Sequence, residues 1–257
     1  MAAIFGTFWC GAAYVPIDAD MPGSRLEEML GDLSLAAIVT DRNLDWLPSD
    51  AKVVRPRDVA PSGPVWSTEP VEHGELAYLV FTSGSTGKPK AVRGTQRGIN
   101  KECVGVQKVL SLSADDVMLG TTSPWFDVSI LELLVPLSIG ARVQLVSHAD
   151  VVDVSALKRE MERIQPTVAL LQRVILAPLL ASGYKGDRRL RVVTGGEPLH
   201  RDLASEVSRI TAGVFNTYGL TEASNTVTMH RFSEGDGNAV PIGRPIARVA
   251  VLVVDPK

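Results

Sequence analysis

The sequence predicts an α/β fold: mostly parallel sheets flanked by helices, with the start of a β-rich region at the C-terminal end. Three observations predict it. Short apolar runs of strand length alternate with helical stretches along most of the chain, the pattern of a parallel sheet covered by helices. The chain has 257 residues, enough for one large α/β domain or two small ones. It is 45% hydrophobic and 21% charged, the balance of a globular chain able to bury a core.

The elements follow in order. Met1 to about Cys10 reads as a buried helix running into a strand over Ala13 to Ile17. Ser24-Arg25-Leu26-Glu27 has the form of a capping box, with Ser24 as cap and Glu27 reaching back, and opens a helix to about Asp32. Leu35 to Thr40 is a strand, and the Pro-rich stretch Pro48 to Pro70 reads as an irregular connection. Leu76 to Thr82 is a strand that enters a glycine-rich turn. A helix over Thr95 to Leu110 follows, then a strand over Val117 to Thr122 and a helix opening near Asp127. After a strand over Arg142 to Val146, Ser155 is placed to cap a helix whose Leu157, Met161 and Ile164 share one face. A strand over Thr167 to Leu171, a helix to about Ala181 and a strand over Leu190 to Thr194 come next. A helix over His200 to Ile210 and a strand over Gly213 to Asn216 complete the alternation. Beyond Thr226 the pattern changes to short β segments with Gly and Pro, ending in a strand over Val249 to Asp255. Residues 1–226 thus read as the α/β part and 227–257 as the start of a β subdomain.

Charge and composition exclude several partners. Net charge is −3 without a basic block, so the clustered Lys and Arg that bind a nucleic-acid backbone are missing. Cys10 and Cys103 make no disulfide framework, which points to a reducing cytoplasm. His73, His148, His200 and His230 are scattered, lack metal-ligand spacing and read as surface or structural. Met1 to Ile17 is apolar and uncharged, yet no basic residues precede it as in a signal peptide. Pro16 and Asp18 stop the run short of the ~20 residues a membrane helix needs, so no membrane partner is expected.

The most specific signal is Thr82-Ser83-Gly84-Ser85-Thr86-Gly87-Lys88-Pro89-Lys90, directly after an apolar strand. Small residues let backbone N–H groups approach an anion, and glycines permit turns with positive φ. Hydroxyls and lysines add donors and positive charge, the parts a phosphate chain requires. A Walker A loop does not fit. It needs a Gly where Thr82 stands and a Ser or Thr where Pro89 stands. The plain alternative is a Ser/Gly-rich linker, against which stands the run's place after a buried strand.

At these residues the chain resembles the adenylate-forming superfamily, whose phosphate-loop signature Leu79 to Lys90 is similar to. Further matches come in the expected order. Gly11-Ala12-Ala13-Tyr14-Val15-Pro16-Ile17-Asp18 is similar to the first core signature of the nonribosomal peptide synthetase branch. Phe126-Asp127-Val128-Ser129 resembles that branch's substrate-aspartate motif, and Gly195-Gly196-Glu197 the adenine-flanking segment. Asn216-Thr217-Tyr218-Gly219-Leu220-Thr221-Glu222 resembles the aromatic-TE motif, and Pro241 to Ile246 the entry to the family's β subdomain. The resemblance covers nearly the whole chain. It implies the core of the large domain of an amino-acid adenylation enzyme, with ATP and Mg²⁺ as cofactors. The product would pass to phosphopantetheine on a carrier domain, so that carrier and neighbouring synthetase domains are the implied partners beside the amino-acid substrate.

The resemblance also assigns roles. Thr82, Ser83, Gly84, Ser85, Thr86, Gly87 and Lys88 would hold the β- and γ-phosphates of ATP, with Thr86 and Lys88 making side-chain contacts. Thr221 and Glu222 would lie near the α-phosphate, Glu222 carrying Mg²⁺. Alternatively, Glu222 is a carboxylate at a helix N-terminus. Tyr218 would stack on adenine beside Gly195, Gly196, Glu197, Asn216, Thr217 and Gly219, or is a core aromatic. Asp127 would pair with the α-ammonium group of an amino acid, or cap the helix that follows. The pocket wall would be Val128, Leu131, Leu170, Val193, Gly195, Thr217, Asn225 and Thr226, which suits a neutral side chain of modest size.

The family's N-terminal piece and small C-terminal domain are expected to be absent. That small domain carries the lysine that contacts the α-phosphate and the substrate carboxylate, and no residue here takes its role. The isolated chain is therefore expected to be inactive or very weak. Two other readings share the sequence: an acyl- or aryl-CoA synthetase-like ligase, and a fragment that binds nucleotide without catalysis.

Overall fold

The computed structural model describes residues 1–31, 33–47, 51–59, 74–83 and 89–255. The chain divides into two compact units, Met1–Gln96 and Arg97–Lys257.

The first unit holds α1 (Ala2–Trp9), α2 (Gly23–Leu30), β1 (Ile38–Val39), β2 (Val53–Val54), β3 (Leu76–Ser83) and β4 (Pro89–Thr95). Helix α1 forms where its apolar run predicts it but buries no residue, and Phe5 and Trp9 are exposed. The strand expected over Ala13 to Ile17 reduces to a single parallel bridge. Tyr14 donates to the Ala77 carbonyl at 3.1 Å and accepts from Leu79 N–H at 3.0 Å. The capping box is not formed. Pro22 is the N-cap of α2, and its carbonyl accepts from Arg25 and Leu26, so Ser24 already lies inside the first turn. Proline's fixed φ sets the entry two residues earlier than a cap at Ser24 would. The end placed at Asp32 lies outside the described residues; α2 stops at Leu30. Within the Pro-rich stretch, 51–59 carries β2, which pairs in parallel with β1, and a 3₁₀ turn at Pro56–Asp58; 48–50 and 60–70 lie outside the described residues.

Strands β3 and β4 pair in antiparallel register, with Thr82 opposite Lys90 and Ser83 opposite Pro89. The sequence places Pro89 and Lys90 in the turn, but they open a second strand. Proline is tolerated as the first residue of a strand, where its missing N–H removes little of the ladder.

The second unit holds α3 (Gln96–Leu110) from its second residue onward and continues through β5 (Val117–Gly120), α4 (Ser129–Leu137), β6 (Arg142–Leu145), α5 (His148–Val152) and α6 (Val154–Ile164). Then come β7 (Val168–Leu170), α7 (Arg173–Ala181), β8 (Asp187–Gly195), α8 (Arg201–Ser208), β9 (Thr211–Leu220), β10 (Asn225–Arg231) and β11 (Arg244–Pro245). The strands form one sheet in the order β11-β10-β9-β8-β7-β5-β6. β9, β8, β7, β5 and β6 are parallel, as the alternation predicts, and β10 and β11 add an antiparallel edge.

Successive strand residues feed opposite faces of this sheet. Leu119, Ala169, Val192 and Val214 join one apolar cluster with Leu157 and Met161 of α6 and Ala204 of α8. Their neighbours Met118, Leu170, Val193 and Phe215 join another with Val106 of α3 and Leu131 of α4. Arg191 crosses between elements, bonding Asp116, the Leu110 carbonyl and, at 3.1 Å, the Ser111 carbonyl.

Three expectations need correction here. Asp153, not Ser155, caps α6, accepting from the N–H groups of Ser155 at 2.9 Å and Ala156 at 3.2 Å. Helix α5 ends at Val152 and leaves Asp153 as the first residue free to turn. The strand over Val249 to Asp255 does not form, and Leu252 and Val253 are 84% and 99% exposed. A β-branched run makes a strand only where a ladder partner is present. β9 runs to Leu220 rather than stopping at Asn216, because β10 pairs with its far end.

Candidate active site

The candidate site residues of the second unit gather at the carboxyl ends of β5, β7, β8 and β9. The chain passes from β5 to β6 on one side and then crosses to β7 on the other. The strand order therefore reverses at β5, and ligand clefts of open α/β sheets lie beyond the carboxyl strand ends at such a point.

Glu132 of α4 fixes the exit from β5. It is fully buried and accepts from Thr121 N–H at 3.0 Å, Thr122 N–H at 2.7 Å and the Thr121 hydroxyl at 3.0 Å. The same hydroxyl lies 3.2 Å from the Leu170 carbonyl at the end of β7. Burial pushes the Glu132 carboxyl up to about 7, against the pull of these donors. Sequence reasoning missed this residue; the available signal is a lone carboxylate inside the apolar run Ile130 to Leu137.

The loop that Glu132 anchors leads to Asp127. Asp127 does not cap α4: the N-cap is Val128, and it makes no side-chain cap bond. Instead the Asp127 Oδ2 atom is buried and meets no hydrogen-bond partner among the described residues. Burial pushes the carboxyl up; the Thr221 hydroxyl and the Val128 N–H oppose this, and the negative charge of Glu222 adds to the rise. Asp127, Thr221 and Glu222 therefore share one locality, as their motifs imply. A buried carboxylate oxygen without a donor is costly, on the order of 1–3 kcal/mol or more, and a cation placed there removes the cost.

The expected pocket residues are brought together in adjacent strand registers. Leu170 pairs with Val193, Gly195 with Thr217, Gly219 with Thr226 and Leu220 with Asn225. Val128, Leu131, Leu170 and Val193 meet in one apolar cluster. Two glycines are required by close approach. A Cβ on Gly195 would lie 2.4 Å from the Thr217 carbonyl oxygen, and one on Gly219 would lie 1.6 Å from that of Asn225. Gly196 has φ +83° and opens onto free space, next to the exposed Glu197. Tyr218 is 43% exposed, so it is not a core aromatic and its ring is available to a planar ligand. Asn216 is buried, and its carboxamide donates to the carbonyls of Val240 at 3.2 Å and Pro241 at 3.0 Å, holding that segment against β9.

Glu222 lies in the 3₁₀ turn Thr221–Ala223 and not at the head of an α-helix. Among the described residues no group of three His, Cys, Asp or Glu is arranged to hold a metal. A single carboxylate suits Mg²⁺, which takes its other ligands from water and phosphate. After the turn, Ser224 and Asn225 adopt left-handed φ of 58° and 64°. Such conformations cost on the order of 1–3 kcal/mol each outside glycine and persist where surrounding structure holds them. Lys101 and Glu102 of α3, 7% and 1% exposed, provide that hold and were missed by sequence reasoning. Of the expected phosphate-contact residues, Thr82 and Ser83 end β3, while Gly84, Ser85, Thr86, Gly87 and Lys88 lie outside the described residues.

The family model for AMP-binding enzymes matches residues 1–257. The chain belongs to that family. It is 31% identical over 264 residues to a dimodular nonribosomal peptide synthase of Bacillus subtilis (strain 168), covering 99% of this chain and 11% of the synthase. It is 33% identical over 263 residues to the phosphinothricin tripeptide synthetase PhsC of Streptomyces viridochromogenes, covering 99% of this chain and 24% of that protein. Among solved structures it is similar to holo-AB3403, a four-domain nonribosomal peptide synthetase bound to AMP and glycine. There the TM-score is 0.81 at 28% identity, over 95% of this chain and 18% of that one. The chain thus spans 11% and 24% of these two synthetases and 18% of the solved chain, and over that part of the solved chain the α/β fold is shared.

Proposed function

We propose that this chain is the nucleotide- and substrate-binding core of an amino-acid adenylation domain acting in nonribosomal peptide synthesis. A carboxylate oxygen of the amino acid attacks the α-phosphorus of ATP, pyrophosphate leaves, and an aminoacyl-adenylate remains. Both reactants are anionic, so the site must position them and offset charge.

The observation that carries the reading is the buried, unpartnered Asp127 Oδ2 beside Thr221 and Glu222 at the carboxyl strand ends. An ammonium group satisfies that oxygen, which a simple carboxylic acid cannot do. Val128, Leu131, Leu170 and Val193 then offer apolar surface to the substrate side chain, with Thr217, Asn225 and Thr226 as small polar neighbours. Tyr218 offers its exposed ring to adenine, next to the open Gly196. Glu222 holds Mg²⁺, which neutralises phosphate charge when bound. The Ser83 to Lys88 loop, with Thr86 and Lys88, takes the β- and γ-phosphates. The cytoplasm is the proposed compartment, and phosphopantetheine on a carrier domain the acceptor. The carrier reading is supported by the synthetases to which the chain is similar.

The test is ATP–pyrophosphate exchange with a panel of amino acids and their deaminated counterparts, on this chain set within an intact adenylation domain. Exchange is expected with one or a few amino acids, and Asp127→Ala is expected to lower kcat/KM for them by roughly 100-fold or more. Exchange with the deaminated acids, undiminished by the substitution, would overturn the amino-acid reading in favour of an acyl-CoA synthetase.

A further inference from the structure

Two buried, oppositely charged side chains of α3 converge on the turn that joins β9 to β10. Lys101 Nζ donates to the carbonyls of Ala223 at 3.2 Å, Ser224 at 2.7 Å and Thr226 at 2.6 Å. Glu102 accepts from the Asn225 carboxamide at 3.2 Å, the Thr226 N–H at 3.1 Å and the Thr226 hydroxyl at 2.6 Å. The two charges lie 3.6 Å apart, with side-chain exposures of 9% and 1%. Each group spends its hydrogen-bonding capacity on this one turn. An ammonium has three protons, and here they meet three backbone carbonyls. Burying two ions is expensive, and an apolar pair of similar size would fill the same volume more cheaply. What an apolar pair cannot do is hold a turn with two consecutive left-handed residues by bonding three of its backbone carbonyls.

The turn carries the groups on which the proposed reaction depends. Thr221 and Glu222 stand at its start, and Asn225 and Thr226 at its end. We propose that Lys101 and Glu102 are positioning residues that set this turn for adenylation, Lys101 bonding the Ala223 and Ser224 carbonyls that follow Glu222 as well as the Thr226 carbonyl, and Glu102 bonding only the Asn225–Thr226 end. The inference rests on the adenylation reading for what the turn does, but not for how it is held. The division of labour follows from the bonds. Ala223 and Ser224, which Lys101 bonds and Glu102 does not, directly follow the reacting end, so Lys101 is the member of the pair that governs the chemical step. Glu102 holds the side chains of the proposed pocket wall, so it governs amino-acid affinity and choice.

The first test is amide hydrogen exchange on the full chain. Lys101→Met and Glu102→Leu are expected to lose protection about tenfold or more at 221–226, with Leu157 and Val192 unchanged, while Glu102→Gln keeps most of it. Unchanged protection at the turn, or an equal loss throughout the chain, would overturn the inference. The second test is pyrophosphate exchange with the twenty proteinogenic amino acids, on the chain within an intact adenylation domain. Lys101→Met is expected to lower kcat about tenfold with amino-acid KM within about twofold. Glu102→Leu is expected to raise amino-acid KM about tenfold, reorder the panel and leave the KM for ATP within about twofold; Glu102→Gln is expected to restore the original order. If both variants reduce every parameter in proportion to the folded fraction, the positioning role is refuted. Absence of exchange by the unsubstituted domain with all twenty would refute the adenylation reading, while hydrogen exchange still decides how the turn is held.

Discussion

A single carboxylate oxygen carries the chemistry proposed for the candidate site. Among the described residues Asp127 Oδ2 is buried without a donor, and burial raises the carboxyl's affinity for a proton. The sign of the pH dependence follows. Below its raised pKa the carboxyl is protonated and has no charge to offer an ammonium group, so amino-acid affinity falls as pH falls through that value. KM for the amino acid is expected to rise towards acid pH, starting above the ordinary aspartate range, and in Asp127→Asn this acid limb is expected to vanish. Gly219 tests a different physical effect. Its missing side chain leaves room for the Asn225 carbonyl, so Gly219→Ala must push β9 and β10 apart. A loss of about 2 kcal/mol or more in urea unfolding is expected, with unfolding cooperativity kept. Asp127 and Glu222 were legible in the sequence because each sits in a motif whose neighbours repeat the signal. Lys101, Glu102 and Glu132 were not. Their partners lie 10 to 125 residues away, so nothing local marks them.

Among the elements, α4 and the two strand ends it ties together stand or fall with Glu132. Replacing it by Ala leaves the Thr121 and Thr122 N–H groups without their acceptor, which is expected to cost about 2–3 kcal/mol. Its titration gives a sharper test. The folded state keeps the Glu132 proton to about pH 7, whereas an unfolded glutamate releases it near 4.5. Unfolding therefore releases a proton in that window, and this group's contribution to stability falls as pH rises across it. Between pH 5 and pH 8 the native chain is expected to lose more stability than Glu132→Gln, by comparison of urea midpoints. The elements also show what periodicity can and cannot reveal. The parallel strands β5 to β9 were legible because each is an apolar run between helical stretches. Strand β4 was hidden because Pro89 and Lys90 complete a turn signature, and only the register with β3 makes them a strand. The capping errors have a similar origin. Ser24 and Ser155 look like caps, but Pro22 and Asp153 precede them and take the role.

At the scale of the molecule, the fold class and the family follow from the order of motifs, and neither depends on any one of them. The terminal run differs from expectation for a reason that belongs to this scale: Val251, Leu252, Val253 and Val254 have the residues of a strand but pair with no strand among the described residues.

The left-handed backbone at Asn225 bears on any attempt to redesign what the site accepts. Asn225 is an obvious position to randomise, yet its φ of 64° is comfortable only for Gly, Asn and Asp. A library that admits Val, Ile or Thr there would spend most of its members on deformed hairpins before any selectivity is sampled.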